Sequence, residues 1–379
     1  MGIYEESLEM HKKSGGKIAT ELKVELNNKK DLSLAYSPGV AEISRAIDRD
    51  VAQAKELTIK KNTVAIVSDG SAILGLGNLG AHAALPVMEG KAALFKRFAG
   101  VDAFPICVNT QNSDEIVELV KNIAPTFGGI NLEDISAPRC FEIEKKLREE
   151  LDIPVMHDDQ HGTAVVVLAG LMNALKLRGS KKDEVKVVIN GVGAAGVAIA
   201  NILVDWGVKN IVLCDSKGII CKERLDLNNT KVELMNLTKG GNVCGMMKTA
   251  LHEADVFIGV SVGDILKEDG VKMMKKDPII FALANPEPEI MPDTAKEAGA
   301  FIVATGRSDF PNQINNVLAF PGIFRGALDN NVVQFKDEMF VAAAQAIASQ
   351  VTELTVEKIV PDPFDESVPK AVADKIKDN

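Results

Sequence analysis

Glu133, Asp134 and Asp159 are the residues whose types and spacing most directly suggest chemistry. The first two close the apolar run Gly129-Ile130-Asn131-Leu132, and the third follows Pro154-Val155-Met156-His157-Asp158. An apolar run that stops at carboxylates is how a buried parallel strand ends when its carboxyl edge opens into a cleft. The stretch from Phe141 to Leu151 carries a helical pattern, so the unit reads strand–helix–strand. A right-handed crossover then brings both strand ends to one edge of the sheet. Three carboxylates gathered there repel one another unless a cation lies among them. A ligand set made only of oxygens suits a hard ion, Mg2+ or Mn2+. Helix N-capping would explain each acid singly. Two such strand ends in one unit favour the metal.

A second constellation begins at Val185, where a β-branched strand runs straight into Gly191-Val192-Gly193-Ala194-Ala195-Gly196 and an apolar helix follows. A further strand ends in Asp215, 24 residues after Gly191. This is the context a dinucleotide fingerprint requires. Gly191 makes the tight turn, Gly193 lets the backbone approach a pyrophosphate, and Gly196 allows close helix–strand packing, with Ala194 and Ala195 completing the turn. Asp215 can accept hydrogen bonds from the adenosine ribose, which favours NAD+, while Lys217 pulls towards the 2′-phosphate of NADP+. Asn285 ends a later strand where the nicotinamide ribose should lie, and Asn315 and Asn316 stand side by side in a polar loop. A helix cap or Asx turn explains either asparagine equally well. The other glycine-rich run, Gly75-Leu76-Gly77-Asn78-Leu79-Gly80, lies several residues past its strand and reads as an active-site loop rather than a dinucleotide site.

Two isolated residues are less informative. Lys91 sits in a helical pattern among Ala92, Ala93, Leu94 and Phe95. Such a lysine usually extends to the surface, the exception being one desolvated for acid–base work. Tyr36, in a turn before Ser37-Pro38, reads as a half-buried packing residue.

These sites need an α/β framework of two domains, since 379 residues exceed one ordinary core. Residues 1–160 form the first, 161–335 a doubly wound dinucleotide-binding domain, and 336–379 helices that pack back on the first. A buried helix from Gln160 to Leu177 connects them. The net charge of −10, with scattered lysines and arginines, argues against nucleic acid. Aromatics at 4% leave no stacking platform for bases or sugars. The longest apolar run, near Ala164 to Met172, is too short to span a bilayer. Cys107, Cys140, Cys214, Cys221 and Cys244 show no metal-binding spacing and are expected to be reduced thiols of a cytoplasmic protein.

With these pieces in place the chain resembles the malic enzymes, in their short bacterial or archaeal form. The resemblance covers nearly the whole length. It is carried by Tyr36-Ser37-Pro38-Gly39-Val40-Ala41, Met88-Glu89-Gly90-Lys91-Ala92-Ala93-Leu94-Phe95, Leu132-Glu133-Asp134-Ile135 and His157-Asp158-Asp159-Gln160-His161-Gly162-Thr163. It implies an N-terminal malic domain and a Rossmann-like NAD(P) domain, and oxidative decarboxylation of L-malate to pyruvate and CO2 with Mg2+ or Mn2+. It implies Tyr36 as general acid and Lys91 as general base, with Glu133, Asp134 and Asp159 on the metal. Lys91, Asn285, Asn315 and Asn316 would meet substrate, Asn285 and Asn316 also the cofactor, and the chain would form a homodimer. Where larger relatives place an arginine for the substrate carboxylate, this chain has Ala72. A malolactic-type lyase with retained NAD and an inactive dinucleotide sensor are the competing readings.

Overall fold

The structure is a computed structural model that describes residues 2–73, 75–238 and 240–378. Strands β1 (Thr63–Ser68), β2 (Asp102–Cys107), β3 (Gly129–Leu132) and β4 (Val155–His157) form a parallel sheet in the order β2-β1-β3-β4. Strands β5 (Lys186–Asn190), β6 (Asn210–Asp215), β7 (Gly218–Ile219), β8 (Val256–Gly259), β9 (Ile279–Ala282) and β10 (Ile302–Thr305) form a second, in the order β10-β9-β8-β5-β6-β7. Only β7 runs antiparallel there. Chain order therefore reverses between β5 and β8, the switch point at which such sheets bind ligands.

Helices cover both sheets. The first group is α1 (Ile3–Ser14), α2 (Lys29–Ala35), α3 (Val40–Arg49), α4 (Ala54–Leu57), α5 (Ala81–Ala99), α6 (Ser113–Ile123) and α7 (Arg139–Glu150). Then come α8 (Asp158–Arg178), α9 (Ala194–Trp206), α10 (Asn229–Thr238), α11 (Met247–Leu251), α12 (Glu268–Lys272) and α13 (Pro292–Glu297). The last are α14 (Phe320–Asp329), α15 (Asp337–Ser349) and α16 (Ser367–Ala373). Every residue of β1 is buried, which is why its centre, Val64 to Val67, is an unbroken apolar run rather than an alternation. Pro105 lies in β2, an edge strand, where a missing N–H is tolerated.

Helix α8 leaves β4 directly and runs into the second half of the molecule, nearly all of it buried between Gly162 and Leu175. Its first turn holds Asp158 and Asp159, whose charge suits a helix N-terminus. Helix α15 packs on α8 and α9, while α14 lies on α5 and α16. Phe95 of α5 meets Phe320 and Phe324 of α14 at ring-centroid distances of 4.7 and 5.5 Å. One core thus runs through both sheets.

One observation differs from expectation. Cys221 and Cys244 are joined by a disulfide, leaving Cys107, Cys140 and Cys214 free. The sequence reading of five reduced thiols misses this because spacing along the chain does not show which loops meet. The β6–β7 hairpin folds against residues 240–245, with Ile219 N–H donating to the Gly245 carbonyl at 2.8 Å. In addition, α1, α2 and α3 contain no buried residue. Sixteen of the thirty large apolar side chains exposed among the described residues lie before residue 60, so an apolar surface is concentrated there. Among the described residues no helix is long and apolar enough to cross a membrane.

The Phe95 contact gives a stability prediction. Replacing this fully buried ring, Phe95→Ala, should cost about 3–5 kcal/mol in a denaturant unfolding measurement, through lost transfer energy and the cavity left behind. Leu85→Ala, on the same helix but 43% exposed, should cost under about 1 kcal/mol.

Candidate active site

Glu133 and Asp134 follow β3 without a break. Glu133 N–H donates to the Val67 carbonyl at 2.9 Å, which carries the sheet ladder one residue further. Asp134 then turns with φ of 53°, a left-handed conformation that aspartate tolerates better than most residues. Its carbonyl is held by Ala72 N–H at 3.0 Å, and its own N–H donates to Asp159 Oδ2 at 2.9 Å. Carboxylate oxygens of Glu133, Asp134 and Asp159 come within 4.8 Å of one another. The set fits a hard divalent cation because its donors are all oxygens, two of the three residues are buried, and they lie close enough to share one ion.

Lys91 is 7% exposed, so the surface-directed lysine expected of an apolar helix is not what forms. Its Nζ lies 2.5 Å from Asp158 Oδ2, 3.0 Å from Glu133 Oε1 and 4.1 Å from the centroid of the Phe320 ring. Burial pulls its pKa down, but Asp158 and Glu133 outweigh burial and hold it above the ordinary lysine value. Burial pushes Glu133 well above the usual carboxylate range, Lys91 opposes the rise, and Asp159, Asp158 and Asp134 add to it. Asp159 is held below that range because His157, 3.2 Å away through Nε2, outweighs its burial.

Asp158 is the functional residue that sequence reasoning passed over. It is fully buried and accepts hydrogen bonds from Lys91 and, at 2.6 Å, from Asn316 Nδ2. Its neighbour Asp159 faces the cation site instead, so the adjacent pair divides between two tasks. A signal was present in Gly162. A Cβ there would stand 1.8 Å from Asp158 Oδ1, so the position requires glycine.

The remaining predicted residues are distributed unevenly. Asn316 joins the Lys91 cluster through Asp158, whereas Asn315 Oδ1 accepts from Val317 N–H at 3.0 Å and caps a short 3-10 turn. Tyr36 is 70% exposed at the end of α2 and stands outside the cluster. Asn285 is exposed beyond β9, next to the Gly75 loop, where a Cβ on Gly75 would lie 2.4 Å from the Asn285 carbonyl oxygen.

The dinucleotide turn has the expected form. Gly191 has φ of 112°, and a Cβ there would meet the Val260 carbonyl oxygen at 2.5 Å. A Cβ on Gly196 would lie 1.8 Å from the Gly191 carbonyl oxygen. Gly193 faces open space, and Ala194 and Ala195 begin α9. That arrangement leaves backbone N–H groups accessible to a phosphate. A cavity of about 180 Å³ beside the turn is lined by Pro138, Phe141, Gly193, Thr230 and Lys231. Asp215 is already engaged. Arg224 grips both of its oxygens at 2.7 and 3.1 Å, Lys231 Nζ lies at 2.6 Å, and Lys217 N–H at 2.9 Å. Lys217 Nζ pairs with Asp226 at 2.8 Å.

Comparison with known proteins agrees with this geometry. The malic enzyme N-terminal domain model matches residues 15–114 and 110–148, and the malic enzyme NAD binding domain model matches 160–368. The bifunctional malic/malolactic enzyme of Bacillus subtilis is 57% identical over 376 residues, 98% of this chain and 92% of that one. The NAD-dependent malic enzyme of Geobacillus stearothermophilus is 57% identical over 94% of this chain and 75% of its own. The crystal structure of the NAD-dependent malic enzyme from Thermotoga maritima superposes with a TM-score of 0.95 at 52% identity, covering 98% of each chain. Two family models across most of the sequence, together with these relatives, establish that the chain belongs to the malic enzyme family.

Proposed function

We propose that the chain oxidatively decarboxylates L-malate to pyruvate and CO2, reducing NAD+ or NADP+ with a divalent cation at Glu133, Asp134 and Asp159. The observation that carries this reading is the convergence of those three carboxylates with a buried lysine, with Ala137 and Pro138, just past Asp134, sharing a cavity with Val192 and Gly193 of the dinucleotide turn. Glu133, Asp134 and Asp159 would hold the cation, which would supply acidification of malate's C2 hydroxyl, and the dinucleotide turn would hold the cofactor, which would supply a hydride acceptor. The chain supplies the rest. Lys91 is an ammonium beside its carboxylates, and the charge of a cation at Glu133, Asp134 and Asp159 would displace that proton, so that the neutral amine takes the hydroxyl proton while Asp158, hydrogen-bonded to it, holds its Nζ in place. Asn316 fixes Asp158 in turn. Phe320 closes the apolar side of the lysine against water.

The C3–C4 bond of the oxidised substrate then breaks, CO2 leaves and the electron pair remains as the enolate; its protonation at C3 falls to Tyr36, whose exposure supports a homodimer in which a second copy supplies it. Helix α3 carries an apolar stripe, Val40, Ile43 and Ile47, opposite Glu42, Arg45 and Arg49, and none of it is buried. A helix with such a face gains little until something covers it.

The pairing of Asp215 also bears on cofactor choice. A carboxylate held by Arg224 and Lys231 repels a 2′-phosphate far less than a bare one would, so the NAD+ preference that Asp215 suggests is weakened and both cofactors serve. A malolactic outcome is favoured by one observation only, the name of the Bacillus subtilis relative. Lactate formed from malate and NAD+ without a net change at 340 nm would identify it.

Three predictions follow from this chemistry. Asp159→Ala should abolish malate decarboxylation and weaken Mn2+ binding, followed by electron paramagnetic resonance, while ADP binding is kept; full Mn2+ affinity in the variant would refute the ligand assignment. Lys91→Ala should lower malate oxidation by roughly two to four orders of magnitude, the usual worth of a general base. Finally, Lys91→Ala and Tyr36→Phe chains, each inactive alone, should on random mixing regain about a quarter of wild-type activity. Half of the dimers are then mixed, and each carries one intact site if the tyrosine comes from the second copy. No recovery would place Tyr36 in its own chain's site.

A further inference from the structure

We propose that Glu289 is a positioning residue for the nicotinamide end of the cleft, acting through the turn that carries Asn285. Glu289 has no exposed surface. Its Oε1 accepts from Ser261 N–H at 2.9 Å and its Oε2 from Ala284 N–H at 3.0 Å. Ser261 lies two residues past the end of β8, and Ala284 two past the end of β9. One carboxylate therefore fastens two adjacent parallel strands at their carboxyl edge, where a ligand sits in this type of sheet. Space for it is made by Gly259, whose Cβ would stand 2.4 Å from the Glu289 carboxyl carbon.

The bond to Ala284 closes residues 284–289 into a loop with Asn285 at its tip. The Glu289 and Pro288 carbonyls hold Leu266 and Asp264 N–H at 2.9 and 3.0 Å, so the base of the loop is fixed as well. The tip sits between Gly75 of the first sheet's loop and Gly306, whose Cβ would lie 2.6 Å from Asn285 Nδ2. On its other side Ser261 Oγ accepts from Asn190 Nδ2 at 2.7 Å, and Asn190 directly precedes the dinucleotide turn. The chain of contacts thus runs from Gly191 through Ser261 and Glu289 to Asn285.

A buried carboxylate is costly unless its charge is compensated. Here burial pushes the Glu289 carboxyl above its ordinary pKa, the backbone donors, Ser261 and Ala284 N–H first among them, offset part of that cost, and no lysine or arginine among the described residues is paired with it. The arrangement requires two acceptors at the length of glutamate. Glutamine offers one acceptor and turns its NH2 against the other N–H. Aspartate keeps both acceptors but is one methylene too short to reach both strands.

This inference rests on the reading of the cleft as a dinucleotide site, and its test does not require malate turnover. Affinities for NADH and for ADP should be measured for wild type, Glu289→Gln and Glu289→Asp. The expected result is NADH binding weakened by about tenfold, the value of a lost charge-assisted contact, with ADP binding unchanged within about threefold. Parallel loss of both affinities would make Glu289 merely structural, and loss of neither would overturn the proposal. Should the Gln variant fail to fold, Asn285→Ala combined with Glu289→Asp decides. Because Asn285 is exposed and tolerates truncation, the double variant should bind NADH no more weakly than the weaker single variant. Additive losses would show that Glu289 does not act through Asn285.

Discussion

The buried ammonium of Lys91 is the interaction on which the site depends. It draws together Asp158 from the start of α8 and Glu133 from the end of β3, two segments that would otherwise repel each other. Four carboxylates crowd this volume, Glu133, Asp134, Asp158 and Asp159, and the lysine balances only part of their charge. His157 beside Asp159 offsets some more. The imbalance is itself a physical argument for a cation, since buried like charges persist only when something compensates them. It also explains why the lysine sits deep in the protein rather than extending to water.

The rest of the fold keeps that lysine in place. Helix α5 reaches the cluster because Phe95, one turn beyond Lys91, is locked against Phe320 and Phe324 of α14. Phe320 then covers the lysine itself. Helix α8 supplies Asp158 and Asp159 from one turn and continues as the buried rod between the two sheets. Displacing α8 would therefore move the proposed cation ligand Asp159 and the lysine's partner Asp158 together. The cluster and the dinucleotide turn are built on adjoining parts of one core, so relative movement of the sheets has a direct chemical consequence.

Much of this was legible in the sequence because strand ends announce themselves. Apolar runs stopping at Glu133 and Asp159, and the glycines following Asn190, each carry a local signature whose meaning does not depend on distant residues. Features that depend on a distant partner were hidden. Asp158 looks like one member of an acidic pair until Lys91, 67 residues earlier, is seen against it. Asp215 looks free until Arg224 folds back from the loop after β7. Cys221 and Cys244 lie on loops whose meeting no spacing rule gives. Asn315 and Asn316 are indistinguishable in sequence, yet one caps a turn and the other reaches the cluster. Glu289 lies in a proline-rich stretch whose local sequence does not show that the side chain is fully enclosed.

The arrangement of charge around Lys91 is tested most directly by anomalous scattering at the manganese edge from crystals grown with Mn2+. One strong peak is predicted, within about 2.0–2.3 Å of oxygens from Glu133, Asp134 and Asp159 and not coordinated by Asp158, which stays on Lys91. A peak bound to Asp158 with Lys91 displaced, or no peak among these carboxylates at saturating Mn2+, would contradict it.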